Sequence, residues 1–442
     1  MLRKRRKEVV RFLLLIFGLF FSPGVFAAEQ ELSVVVHVHS SLSSGARSLF
    51  EIAQIAKNKN VDVVMMTDLL CERYTYGFPP FQDILKKTIQ RKSVWDKGVP
   101  SFLSEVQRAN RMVPDVVMIE GVVATPFYYW TGSVWPGPLM LNDRGKDFLV
   151  FGLNSADDYE NIPVLQTGKS RFDAYHGNQG IAPYQDVIDY VRRKKGFIVW
   201  SHPDAEERMI FNLPFNREVV LVSKEYNREV TETEDYDAIG IYSVELAMVM
   251  ASPENLLSAS PGGVWDQVLL KYVSGKRKNP VWAVGETDYN GFAGENMNLE
   301  AIVNRVSVRE KTRENILESL RKGKNCLIMK DLSETQAMIL NEFTVSDPLS
   351  AQSAGVGETL IISSVPKIRV QISFSDQANI PWHLVLIRNG KMIEIQDENG
   401  SATFEYDDTD LPPGDSAFYR VIAYSDGAAR LLSNPIFVRR PR

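Results

Sequence analysis

His37 and His39 stand one residue apart at the end of an apolar run formed by Leu32, Val34, Val35 and Val36. On a strand, residues two apart point to the same side, so both imidazoles project together at its carboxyl end. That is a metal-ligand arrangement. Further groups able to bind a metal or move a proton lie at the ends of other apolar runs. Asp68 follows Val61 to Met66, and Asp147 precedes Phe148 to Leu153. His202 closes the run from Phe197, and Asp288 follows Val281 to Gly285.

Only an architecture that gathers strand ends can join positions so far apart in sequence. Ser48-x-x-Glu51 reads as a capping box ahead of a helical stripe of Leu49, Ile52, Ala53 and Ala56. Tyr184, Val187, Ile188 and Val191 form a second stripe, with Pro183 in its first turn and Gly196 after its end. From Leu32 to about Asp331, apolar runs alternate with amphipathic helices, the pattern of a parallel sheet or α/β barrel. In such a barrel the active site lies at the carboxyl ends of the strands.

After Asp331 the pattern changes. Ile368, Val370, Ile372 and Phe374 alternate with polar residues, and Asn389-Gly390, Asn399-Gly400 and Pro412-Pro413-Gly414 separate further short strands. This predicts an immunoglobulin-like β-sandwich. The domains expected are 31–333 for the α/β part and 334–442 for the sandwich.

Composition narrows the function. The chain has 442 residues, 44% hydrophobic and 24% charged, enough for two or three globular domains. A basic run from Arg3 to Lys7, an apolar core from Phe12 to Phe21 and small residues at Val25-Phe26-Ala27 predict a signal peptide over 1–27. Export to the periplasm or beyond follows, with no stable membrane span after cleavage. Six basic residues and one acidic one leave with it, so 44 Lys+Arg face 54 Asp+Glu and the net charge goes from −5 to −10. Such a chain is poorly suited to nucleic acid. Cys71 and Cys326 could pair in an oxidising compartment, which the sequence does not decide.

The order of strand with His-x-His, helix, and strand ending in Thr67-Asp68 resembles the opening of the polymerase and histidinol phosphatase (PHP) family of metal-dependent hydrolases. Trp200-Ser201-His202-Pro203 resembles the family's small-His-Pro, and Gly285-Glu286-Thr287-Asp288-Tyr289-Asn290 its Gly-x-Ser-Asp-x-His. The resemblance implies a distorted (β/α)7 barrel followed by the sandwich. It also implies hydrolysis of a phosphoester, ester or carbamate by a metal-bound water at the barrel mouth. One or two divalent ions, zinc, manganese or iron, would be held by His37, His39, Asp147, His202 and Asp288. Asp68 would orient a ligand or accept a proton.

Departures from the family pattern matter as much. Ile119-Glu120-Gly121-Val122-Val123 resembles Ile-Pro-Gly-Val-Glu, but Val123 occupies the position of the metal-bridging Glu. Glu120, three residues earlier, could replace it if Gly121 introduces a bulge. Ser44, Leu69 and Asn290 stand where the family holds a third metal, so at most two are expected. The alternative is a catalytically degenerate PHP-fold protein that binds glycan or protein. An aromatic loop of Phe127, Tyr128, Tyr129, Trp130 and Trp135 reads equally as a stacking platform or as a lid packed on the rim.

Overall fold

The structure, a computed structural model, describes residues 29–442 apart from 79, 83, 136, 214–216, 243–256, 293–297, 330–336, 376–378 and 426–429. The expected signal peptide, the boundary at 333/334 and the end of the run from Ala238 to Leu246 lie outside the described residues. Among those described, no helix is long and apolar enough to cross a membrane.

The N-terminal part is α/β, and among the described residues most of its strands fall into two larger sheets, beside a four-stranded and a two-stranded one. The first contains β1 (Gln30–Val38), β2 (Val63–Met66) and β6 (Val117–Ile119) in parallel, extended on the far side of β1 by antiparallel β16 (Val303–Val308) and β17 (Asn325–Met329). The second has the order β15 (Trp282–Glu286), β14 (Ala238–Tyr242), β11 (Phe197–Trp200), β10 (Phe148–Phe151), β7 (Gly121–Ala124) and β3 (Asp68–Leu69). Val34, Val35 and Val36 are all fully buried, as expected of a strand covered on both faces.

The chain passes between the sheets at Thr67, from β2 to β3, and at Glu120, from β6 to β7. Just beyond β15 the sheets meet again: Thr287 N donates to Val36 O at 2.9 Å and Tyr289 N to His37 O at 3.0 Å. The wholly parallel arrangement that the alternation predicts is broken at β10, which runs antiparallel to both β7 and β11. From β7 to β10 the chain returns through the strand pair β8 (Tyr129–Gly132) and β9 (Leu139–Asn142) with no crossover helix, and a parallel connection needs a crossover.

Helices cover the sheets. α1 (Leu49–Asn58) starts with the capping box: Ser48 Oγ accepts from Glu51 N at 3.3 Å, and Glu51 Oε2 accepts from Ser48 N at 2.8 Å. Its buried face is Leu49, Ile52, Ala53 and Ala56. α2 (Val99–Met112), α3 (Ala182–Arg193), α4 (Val264–Val273) and α5 (Arg313–Arg321) follow the same amphipathic logic.

The C-terminal part is all β among its described residues. Strands Met338–Asp347, Lys367–Phe374 and Ala402–Asp407 face strands Pro381–Arg388 and Ser416–Ser425 across a core that includes Val345, Val370, Leu384 and Val421. It is joined to the α/β part by sheet continuity, because strand Arg430–Ser433 pairs with β17. Buried polar clasps reinforce the join. Arg420, fully buried, forms a fork with Asp266 of α4 at 2.7 Å on both arms. Asn434 accepts from Ala283 N at 2.8 Å and donates to Asn325 O at 3.1 Å. Cys71 and Cys326 are each buried and are not joined to one another.

Candidate metal centre

The H-x-H segment is not a regular strand end. The pairing of β1 with β2 shifts register between Val36 and Val38, leaving His37 in a bulge at φ 70°. A bulge re-aims a side chain, so the geometry at His37 is local and differs from simple two-residue alternation. His202 and Asp288 also have positive φ, 32° and 45°. Each such backbone costs on the order of 1–3 kcal/mol in a residue other than glycine, and such strain clusters where function requires a side chain in one place.

These distortions bring ligand atoms together. His39 Nε2 lies 3.1 Å from Asp288 Oδ1, and His37 Nε2 lies 3.5 Å from the same oxygen. A tetrahedral site with bonds of ~2.1 Å has ligand–ligand edges of ~3.4 Å, which these separations straddle. His37, His39 and Asp288 thus form one triad with ligand atoms within 4.8 Å of one another; His37, His202 and Glu286 form another. The His37 and His202 rings stack at 5.7 Å.

Glu286 was not among the candidates drawn from the sequence. Its Oε2 sits 2.9 Å from His37 Nδ1 and accepts from Ser201 Oγ at 2.7 Å. A carboxylate on one ring nitrogen fixes the tautomer and turns the other nitrogen's lone pair outward, as behind metal-bound histidines. Gly240 makes the space: a Cβ there would fall 1.6 Å from Glu286 Oε1.

Burial pushes His37 down to about 3, so the imidazole is neutral and suited to coordination. Burial likewise pushes Glu286 up to about 8. For Asp288 burial works against charge, yet His37 and His39 hold its carboxyl below the ordinary range. His39 is raised, because Asp288 outweighs the cost of burial. His202 is lowered by burial.

The residues fit a cation. His202 Nδ1 and Glu286 Oε1, from the second triad, are buried polar atoms without a hydrogen-bond partner among the described residues, and His37, His39, His202 and Asp288 all line one cleft. Such orphans are rare unless something is to be bound. The triads border a cleft of about 340 Å³ whose other walls include Asp147, Arg144, Glu72 and Tyr74.

The remaining candidates are placed elsewhere. Asp147 borders the cleft outside both triads; Thr125 donates to it, and burial pushes its carboxyl up to about 7. Asp68 is engaged by the turn after His39, accepting from Ser40 N at 2.8 Å, Ser40 Oγ at 2.7 Å and Ser43 Oγ at 2.5 Å. It therefore anchors the turn that carries His39. Glu120 is not a replacement bridge: it pairs with Arg313, and the residue falls where β6 gives way to β7. Val123 and Leu69 line the cleft as apolar wall, and Ser44 lines it too. Of the aromatic loop, Tyr128 and Trp130 pack edge-on with Tyr74 and Tyr76, which is the lid reading, and Trp135 is exposed.

No protein-family model matches the chain, and no curated protein matches it. Among solved structures, a two-domain protein from Bacteroides vulgatus containing a predicted PHP-like metal-dependent phosphoesterase is similar over 90% of this chain and 91% of its own, at 10% identity and TM-score 0.38. A protein from Bifidobacterium adolescentis, described as a candidate metal-dependent phosphoesterase, is similar over 59% of this chain and 91% of its own, at 10% identity and TM-score 0.28. These likenesses are too weak to assign a family, and the resemblance to PHP hydrolases rests on the chain's own motif residues.

Proposed function

We propose that this chain is an exported metal-dependent hydrolase of PHP type acting on a phosphoester, ester or carbamate, with an α/β barrel over 31–333 and a sandwich over 334–442. The observation that carries the proposal is the convergence of His37 Nε2, His39 Nε2 and Asp288 Oδ1 at a cleft wall, with Glu286 behind His37. These three side chains would hold one divalent ion, and His37, His202 and Glu286 form the second group with ligand spacing. A divalent ion supplies Lewis acidity to the scissile group and acidifies water.

The chain's own residues do the rest. Glu286, itself held by Ser201, keeps His37 in the tautomer that presents Nε2. Asp68 holds the turn behind His39. Asp147, oriented by Thr125 on the same cleft, changes protonation near neutrality and is suited to accept a proton from attacking water and return it to the leaving group. Arg144, fixed by Glu72 at 3.1 Å and Glu207 at 2.7 Å, sets a rigidly held guanidinium in the cleft lining.

The test is hydrolysis of p-nitrophenyl phosphate, bis-p-nitrophenyl phosphate and p-nitrophenyl acetate by the purified chain, with zinc or manganese and with chelator. Turnover of one class, lost with chelator and in His39→Ala, is expected. Metal binding without turnover of any of these would favour a binding protein, and turnover indifferent to both treatments would contradict the proposal.

A further inference from the structure

The hairpin of β4 (Glu72–Gly77) and β5 (Lys86–Arg91) rises from the cleft. Its base contributes Glu72, Tyr74 and Arg91 to the cleft wall, and its register runs from Glu72 opposite Arg91 to Gly77 opposite Lys86. At ~3.4 Å per residue, the five steps along β4 place the tip ~17 Å from the base. β4 is pinned along its length, so that only the turn and β5 stand free: Thr75 N donates to Tyr128 Oη at 3.1 Å, Gly77 N to Tyr175 Oη at 2.9 Å, and Tyr76 packs edge-on to Trp130.

The tip is apolar and in solvent. Phe81, Ile84 and Leu85 are 55%, 79% and 54% exposed, and every residue of β5 is exposed, Ile89 included. Over residues 78–92 the sequence has four basic side chains, Lys86, Lys87, Arg91 and Lys92, against one acid, Asp83, in a chain of net charge −5. Arg91 faces Glu72 at 3.8 Å and Lys92 donates to the Ser41 carbonyl, while Lys86 and Lys87 stand exposed at the tip end of β5.

Lysines on an edge strand ordinarily serve to block unwanted pairing. Exposed Phe81, Ile84 and Leu85 at the same tip work against that purpose, since they favour association in water. Apolar side chains flanked by cations instead match the boundary of an anionic bilayer, where the former enter the acyl region and the latter meet lipid phosphates. We propose that the β4–β5 hairpin docks on an anionic lipid surface, with Phe81, Ile84 and Leu85 inserted and Lys86 and Lys87 against the headgroups. The cleft mouth is then held near that surface. This docking does not depend on whether the cleft binds metal.

The test uses the full chain carrying Ile84→Cys labelled with an environment-sensitive thiol dye; Cys71 and Cys326, 8% and 7% exposed, are shielded from the reagent. Vesicles of phosphatidylethanolamine and phosphatidylglycerol should blue-shift the dye, and phosphatidylcholine vesicles should do so far less. Replacing Lys86→Gln and Lys87→Gln should weaken the response about fivefold per lysine. The dye reports the tip alone, so vesicle binding through residues 12–21 does not mimic the signal. No shift, or an equal shift with both vesicle types, overturns the proposal. A shift that grows with protein concentration and no lipid overturns it in favour of self-association.

Discussion

Glu286 Oε2 lies 2.9 Å from His37 Nδ1, a contact that joins the end of β15 to the bulge of β1 across 249 residues of sequence. Because Nε2 of the same ring faces Asp288, the carboxylate's position decides whether His37 can serve as a ligand. Removing it in Glu286→Ala should weaken divalent-metal affinity by about 10–100-fold, as loss of a carboxylate behind a ligand histidine does. Gly240→Ala should act similarly by displacing the carboxylate. Metal titration with a competing chelator checks both; unchanged affinity in both would remove Glu286 from the site.

Glu120→Gln should leave metal content and turnover as they are, because its carboxylate is committed to Arg313. The change should lower stability by about 1 kcal/mol, since the pair is part-buried. Metal stoichiometry and urea denaturation measure the two effects separately, and loss of metal would return Glu120 to the ligand set.

The join between the two parts makes a larger claim on stability. Asp266→Ala leaves the fully buried Arg420 without its counter-charge and should cost about 3–5 kcal/mol. Replacing both residues by apolar ones should recover much of that loss. Thermal unfolding of the single and double variants tests this, and equal melting temperatures for all three proteins would contradict it.

Asp347 supplies a pH dependence away from the cleft. Hydrogen bonds from Ser364 Oγ, Ser363 N and Leu349 N hold its carboxyl well below the ordinary range. Since the folded value is depressed, its stabilisation is complete above the unfolded value of about 3.9 and is lost as pH falls through the folded value. Acid unfolding of Asp347→Asn should therefore be less steep below about pH 4 than that of the parent. Identical acid profiles would count against it.

The sequence made part of this site legible for a physical reason. His37, His39, His202 and Asp288 stand at or just beyond strand ends, and the strand ends of the two α/β sheets converge on one cleft, so their order pointed to it. Glu286 was overlooked although it shows a signal, a carboxylate two residues before Asp288 within a strand that is buried throughout. Around Glu120 the sequence shows one apolar stretch, whereas Val117–Ile119 and Gly121–Ala124 belong to different sheets. The partners of Asp68, serines of the turn behind His39, carry no periodic signature in the sequence. The antiparallel sense of β10 was hidden because an apolar run carries no direction.

Elemental analysis of the full chain purified without chelator, then resupplied with zinc, manganese or iron, tests the central claim most directly. If His37, His39 and Asp288 hold a metal, about one equivalent per chain is bound, His39→Ala and Asp288→Asn lose it, and Glu120→Gln retains it. No bound metal in the parent protein after supplementation, or full retention in His39→Ala, would contradict the account.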